Sequence, residues 1–162
     1  MKMFSSMFQE QDSYEIEYKG KKINQCFVFD KKGEHILKFS LISSNSEYLQ
    51  AIIIHWSSFE GQLFINGEEV KKPKKRFPQT ILDEKYAPKQ FEIRVILHNG
   101  RFIICNGSDL LGDESIWRSL YGGCAMIIEE IGENHYRFYC NDHEIDDDFD
   151  DFVFEMEIIE CK

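Results

Sequence analysis

The sequence predicts an all-β fold: a single antiparallel β-sandwich of jelly-roll or lectin-like type, with about nine to ten short strands and at most one short helix. Three observations carry this reading. Apolar residues recur with a period of two along most of the 162 residues, the spacing that sends alternate side chains to opposite faces of a strand. Gly and Asn-Gly pairs break these runs at short intervals, with no alternating helix between them. The composition is 43% hydrophobic and 14% aromatic, with 14 Phe, enough to fill the core of one domain of this length.

Residues 1–11 show no strand alternation and read as a tail open to disorder. Their broken apolar stretch is too short for the core of a secretory signal. Strand patterns follow over 14–18, 26–29, 36–42 and 51–56, separated by Gly20, Gly33 and the polar run 43–46. Asn66-Gly67 joins 62–65 to 68–70 as a tight hairpin, because Asn and Gly tolerate the positive φ that a type I′ turn demands. Asn99-Gly100 reads the same way, as a hairpin between 91–97 and 101–105, with Phe91, Ile93, Val95 and Leu97 on the core face. The alternation lapses over 108–121, where 115–120 reads equally as one helical turn or as part of a surface excursion. A third hairpin pairs 124–130 with 135–140, and the last strand covers 152–158 with Phe152, Phe154, Met156 and Ile158 inward and Glu155 and Glu157 outward. No repeat or linker divides the chain, so 1–162 is one domain.

The net charge of −10 is concentrated in one place. Ten acids and no Lys or Arg lie between Asp142 and Glu160, which leaves 19 acids to balance the 19 bases elsewhere. A phosphate-binding surface needs a net basic stripe, so nucleic acid is not an expected partner. The one basic cluster, Lys71-Lys-Pro-Lys-Lys-Arg76, contains a Pro between two strand patterns and reads as a solvated loop. No apolar run approaches the length needed to span a bilayer, so no membrane partner is expected. The five cysteines form no CxxC pair and mostly sit in apolar runs, which reads as buried free thiols in a reducing, cytoplasmic setting.

Chemistry points to the loop before the last strand. Asn141-Asp142-His143-Glu144-Ile145-Asp146-Asp147-Asp148-Phe149-Asp150-Asp151 crowds carboxylates whose repulsion falls if they spread into water or close around a cation. Ca2+ accepts six to eight oxygens in irregular geometry and suits such a loop better than Mg2+. Asp146, Asp148 and Asp150 alternate toward one side, and Asp151 adds another ligand. His143 inside the loop and Trp117 in the irregular stretch are candidate ligand contacts. The five histidines show no HxH or HExxH spacing for zinc, and no GxSxG, Walker or GxGxxG pattern is present. Paired acids of the glycosidase kind, such as Glu129 and Glu130, occur in most acidic chains and carry no spacing information here.

The run Asp142-x3-Asp146-x-Asp148-Phe149-Asp150-Asp151, followed by a strand, resembles the calcium loop of the bacterial fucose- and mannose-binding lectins. That resemblance spans the loop alone. It implies Asp142, Asp146, Asp148, Asp150 and Asp151 as metal ligands, Ca2+ as the ion and a carbohydrate as the ligand. Asp142 and Asp150 stand where the family has Glu and Asn, and Lys162 stands where its chain ends in Gly. The expectation is thus a non-enzymatic binding module with a Ca2+ loop and a carbohydrate ligand. The alternatives are an acidic protein that covers a basic partner, as an immunity protein covers a toxin nuclease, and a solvated turn whose charges discourage pairing at the last strand.

Overall fold

The computed structural model describes residues 3–109, 123–144 and 147–161 and the backbone of 117–119. One helix, α1 (Phe4–Gln11), precedes fourteen strands: β1 (Glu15–Tyr18), β2 (Lys21–Asn24), β3 (Phe27–Phe29), β4 (Gly33–Ser44), β5 (Gln50–His55), β6 (Phe59–Ile65), β7 (Glu68–Val70), β8 (Gln79–Asp83), β9 (Gln90–Gly100), β10 (Phe102–Asp109), β11 (Trp117–Ser119), β12 (Ala125–Gly132), β13 (His135–Asn141) and β14 (Phe152–Glu160). They form two antiparallel sheets, ordered β1-β2-β12-β13-β14-β4-β9-β6-β7 and β11-β10-β5-β8, with β3 also paired to β10. This is the all-β sandwich that the alternation predicts. The strand count exceeds nine or ten because β2, β8 and β11 are short pieces without a clear two-residue pattern. Part of the 108–121 stretch continues β10, and β11 pairs back onto it, while 110–116 and 120–122 lie outside the described residues.

The interior lies between the sheets. Leu37 and Phe39 of β4, Ile93 and Val95 of β9, Phe138 of β13 and Phe154 and Met156 of β14 meet Ile52, Ile54, Phe102 and Ile104 of the smaller sheet. Phe138 and Phe154 are cross-strand partners with rings stacked at 4.5 Å, and Phe39 stacks on its own partner Phe91 at 5.0 Å. Such pairs add to the burial of the rings themselves. The inward set assigned to the last strand holds: Phe152, Phe154 and Met156 are buried, Ile158 packs beside them, and Glu157 is exposed.

A second apolar cluster covers the outer face of the large sheet at its β1-β2-β12 end. Phe4 and Phe8, one helical turn apart, pack with Ile16, Ile23, Ala125 and Phe149. Residues 1–11, a candidate disordered tail on sequence, therefore include α1 with two fully buried rings. The strand alternation divides neighbours between the clusters: Met126 faces the interior, and Ala125 faces α1.

Two hairpins form as expected. Asn66 and Gly67 turn with φ of 48° and 86°, and β12 and β13 turn through Glu133-Asn134, with Asn134 at φ 53°. The Asn99-Gly100 hairpin does not form. β9 and β10 belong to different sheets, and the end of β9 stays paired with β6 through Glu60–Asn99 and Phe59–Gly100. Asn99 is not left-handed, whereas Gly100 takes φ 82° and a Cβ there would lie 1.9 Å from the Ser58 carbonyl oxygen. The dipeptide is a corner between sheets, and the apolar run on either side fills one interior from both walls.

Cys26, Cys105, Cys124 and Cys140 are buried, Cys161 is half-buried, and none of the five is in a disulfide. Burial pushes the thiols of Cys105 and Cys140 well above the ordinary range, which keeps them protonated. Among the described residues, no helix is long and apolar enough to cross a membrane.

The corner can be distinguished from a hairpin by mutation. Gly100→Ala is expected to destabilise by about 2 kcal/mol or more, and Asn99→Ala by under about 0.5 kcal/mol, in urea unfolding. A comparable loss at Asn99 would restore the hairpin.

Candidate functional site

The connection from β13 to β14 is far longer than a turn between adjacent antiparallel strands requires, and its described residues are fastened at several points. At its start, Asn141 is fully buried and donates Nδ2 to the carbonyls of Gly123 and Glu144 at 3.0 and 2.9 Å. Gly123 has no room for a side chain, since a Cβ would meet the Glu144 carbonyl oxygen at 2.3 Å. At the far end, Asn45 donates its backbone N–H to the Asp151 carbonyl and its side-chain amide to the Asp150 carbonyl, at 2.9 and 3.0 Å. In the middle, Phe149 inserts its ring beside Phe4, with centroids 5.6 Å apart, and is 5% exposed. Asp147 and Phe149 both have positive φ, 65° and 50°. For a bulky residue such as Phe this conformation is uncommon, and it persists because the buried ring over-determines it.

These anchors set the carboxylates. Asp148, Asp150 and Asp151 each place an oxygen within 4.8 Å of the others. Asp151 is buried and accepts the Asp142 backbone N–H at 2.9 Å, while Asp148 and Asp150 are exposed. Asp142 stands apart from the trio: one oxygen accepts the Ser46 hydroxyl at 2.6 Å and the other the Glu144 N–H at 2.9 Å. Asp147 turns to the β1–β2 turn, where it accepts Lys19 Nζ at 2.6 Å and the Tyr18 hydroxyl at 2.9 Å. Asp146 lies outside the described residues. Three of the five acids named from sequence are thus brought together.

His143 is half-buried. Its backbone N–H donates to Ser108 Oγ at 3.3 Å, and its Nδ1 lies 2.7 Å from the same oxygen. A hydroxyl that accepts the backbone proton donates its own to Nδ1, which assigns the imidazole proton to Nε2. Ser108 is fully buried, so the pair fastens the loop to β10. The Tyr48 ring covers His143 at 4.4 Å, and its hydroxyl donates to Glu144 at 2.8 Å, which pushes the phenol up to about 12. For Trp117, only its backbone pairing with Asp109 is described.

Beneath the loop the sandwich interior turns polar. The inner face of β10 runs Phe102, Ile104, Asn106, Ser108, and Gln50 of β5 lies opposite Ser108. Asn106 donates to the Asn141 carbonyl at 2.7 Å. The side-chain oxygens of Gln50, Asn106 and Asn141 are buried and meet no hydrogen-bond partner among the described residues. All three are acceptors, so what they lack is a proton donor or a cation.

Sequence reading missed Asn45, Ser46, Tyr48 and Phe149. The 43–46 run signalled only a break between strands, and nothing local marks it as the clamp on residues a hundred positions later. Phe149 did carry a signal, as a large apolar residue among acids. Compared with known proteins, the chain matches no family model, no curated protein and no solved structure.

Two acids of the loop have opposite pH behaviour. The Lys19 bond, then that of Tyr18, holds the Asp147 carboxyl below its ordinary value. Its contribution is present above about pH 4 and is lost as pH falls through the folded-state value. Desolvation and the Asp148 carboxyl raise Asp150, so ionising Asp150 costs stability as pH rises through its folded-state value. In melting curves between about pH 2.5 and 6, Asp147→Asn should flatten the acid-side loss, and Asp150→Asn should raise the melting temperature at the neutral end. The same change in both variants would contradict this assignment.

Proposed function

We propose that the chain is a binding module whose acidic loop holds a Ca2+ ion through Asp148, Asp150 and Asp151. The observation that carries this reading is the convergence of the three carboxylates within 4.8 Å, one anchored and two open to solvent. A hard cation offsets the crowding of the three carboxylates, and oxygen-only ligands in an irregular loop suit Ca2+. Water or further loop oxygens would complete the shell. Because Asp148 and Asp150 are exposed, such an ion would keep outward positions that paired hydroxyls of a carbohydrate can occupy, which makes a polyol the ligand class of this proposal. The free thiols support a reducing, cytoplasmic setting, where the ion would have to bind tightly.

A ligand that binds only the folded state adds about 2.7 kcal/mol at a hundred times its Kd. Millimolar Ca2+ is therefore expected to raise the melting temperature, Mg2+ to raise it less, and chelator to reverse the rise. Asp150→Asn and Asp148→Asn should abolish the Ca2+ response. An unchanged melt in Ca2+ and in chelator would refute the proposal.

A second reading rests on the Lys19 contact, where the loop already accepts an ammonium group at 2.6 Å. On this reading the loop covers a basic protein, such as a cationic nuclease. Salt-sensitive capture of such a protein, lost in the same Asn variants and indifferent to Ca2+, would favour it over the ion.

A further inference from the structure

The two sheets end in strands β1, β7, β8 and β11, and β3 is a further short edge beside β10. Charges guard two of these edges: Glu15 and Glu17 on β1, and Glu68 and Glu69 on β7. β8, Gln79-Thr-Ile-Leu-Asp83, carries a charge only at its last residue. An unguarded edge is a ready template for another strand. The hydrogen bonds at its two ends fix which groups it offers. Trp56 N–H donates to the Pro78 carbonyl and Glu84 N–H to the Gln50 carbonyl, so in an antiparallel ladder Thr80 and Leu82 bond to β5. The backbone groups of Gln79 and Ile81 face away from β5, and no strand meets them among the described residues.

The surroundings of this edge share one chemistry. Beside it an apolar groove of about 230 Å3 is lined by Ile65, Ile81, Leu82, Tyr86, Ala87 and Pro88. Phe77 just before the strand and Tyr86 just after it are 76% and 68% exposed. Each ring carries a cation, Arg76 over Phe77 and Lys85 over Tyr86, both at 5.3 Å. Lys71 is paired with Glu69, but Lys72, Lys74, Lys75 and Arg76 meet no carboxylate among the described residues. The two acids that follow the strand core are committed: Asp83 accepts the N–H groups of Lys85 and Tyr86, and Glu84 accepts the Ser44 hydroxyl and the Gln50 N–H.

The acidic loop cannot neutralise the cations of the 71–76 loop within one molecule. Through Leu63, Val95 and His35, the registers place Val70 level with Glu160, whereas the acidic loop leaves the sheet where Phe152 pairs with Ser44. Those levels are roughly 30 Å apart along β4, several Debye lengths at physiological salt.

We infer that the β8 edge docks an extended acidic segment of another protein, which adds as a strand beside β8, seats an apolar side chain in the groove and meets the 71–76 loop with its carboxylates. Main-chain bonds supply affinity in such an arrangement, and the groove and charges supply selectivity. Nucleic acid or a lipid surface would be drawn by the cations but would have no use for the outward groups of Gln79 and Ile81.

The test uses the full chain and two fluorescent octapeptide pools, which alternate Val, Ile, Leu or Phe with Asp or Glu in one and with Lys in the other. The acidic pool is expected to bind in fluorescence anisotropy and to weaken with salt, and the basic pool is not. Ile81→Pro removes an outward N–H without breaking a β5 bond and should weaken binding by about tenfold or more. The triple change Lys72→Glu, Lys74→Glu, Lys75→Glu lies on an exposed loop and should do the same, with melting unchanged. Failure of the acidic pool to bind at about 1 mM would overturn the inference. So would equal binding of both pools, or capture of single-stranded DNA or phosphatidylserine vesicles that Ile81→Pro leaves intact. A protein mass that doubles with concentration and reverts in Ile81→Pro would assign the edge to a second copy instead.

Discussion

β14 is hydrogen-bonded on both sides, to β13 and to β4, and sends Phe152, Phe154 and Met156 into the interior between the sheets. The rest of the structure depends on that double pairing. A slip of one residue on either side would expose three large apolar side chains and bury Glu155 and Glu157. Because β14 cannot slide, Asp151 and the acids just before it arrive at one defined point. On the same outward face, Glu155 is held by Arg137 and His135 from the neighbouring strand, so its charge is accounted for by ordinary cross-strand pairing.

Fixed at β14, the loop is then clamped from elements that are remote in sequence. α1 buries Phe149 from one side, the 43–46 segment grips Asp150 and Asp151 through Asn45, and the β1–β2 turn draws Asp147 away toward Lys19. The clamps divide a run of like charges. Asp147 and Asp142 turn to partners elsewhere in the chain, and Asp148, Asp150 and Asp151 converge on one another. Carboxylates this close share an electrostatic cost that protonation or a cation relieves, and the Asp148 carboxyl adds to the desolvation that raises Asp150.

The distribution of charge over the sandwich follows from the same topology. The chain crosses between sheets at the β7–β8 connection, at the far edge and opposite end from the acidic loop, and the basic run lies in that crossing. Two oppositely charged surfaces on one small domain can therefore act independently, with neither screened by the other.

Much of this was legible in the sequence, because alternation is a local property: it reports which side chains share a face wherever one face is buried and the other wet. Strands β9, β10, β12, β13 and β14, the inward residues of β14, the turn at Asn66-Gly67 and the acidic loop were all readable in this way. What the sequence could not carry was which sheet each strand joins. Asn99-Gly100 has the local chemistry of a hairpin, yet the apolar stretches on either side of it line opposite walls of one core. The same limit applies to the acidic segment. Its composition alone determined that carboxylates crowd before the last strand. Only the tertiary structure decided that Asp148, Asp150 and Asp151 form the group while Asp142 and Asp147 do not, because their partners, Ser46, Tyr18 and Lys19, are brought there by sheet pairing across about a hundred residues of chain.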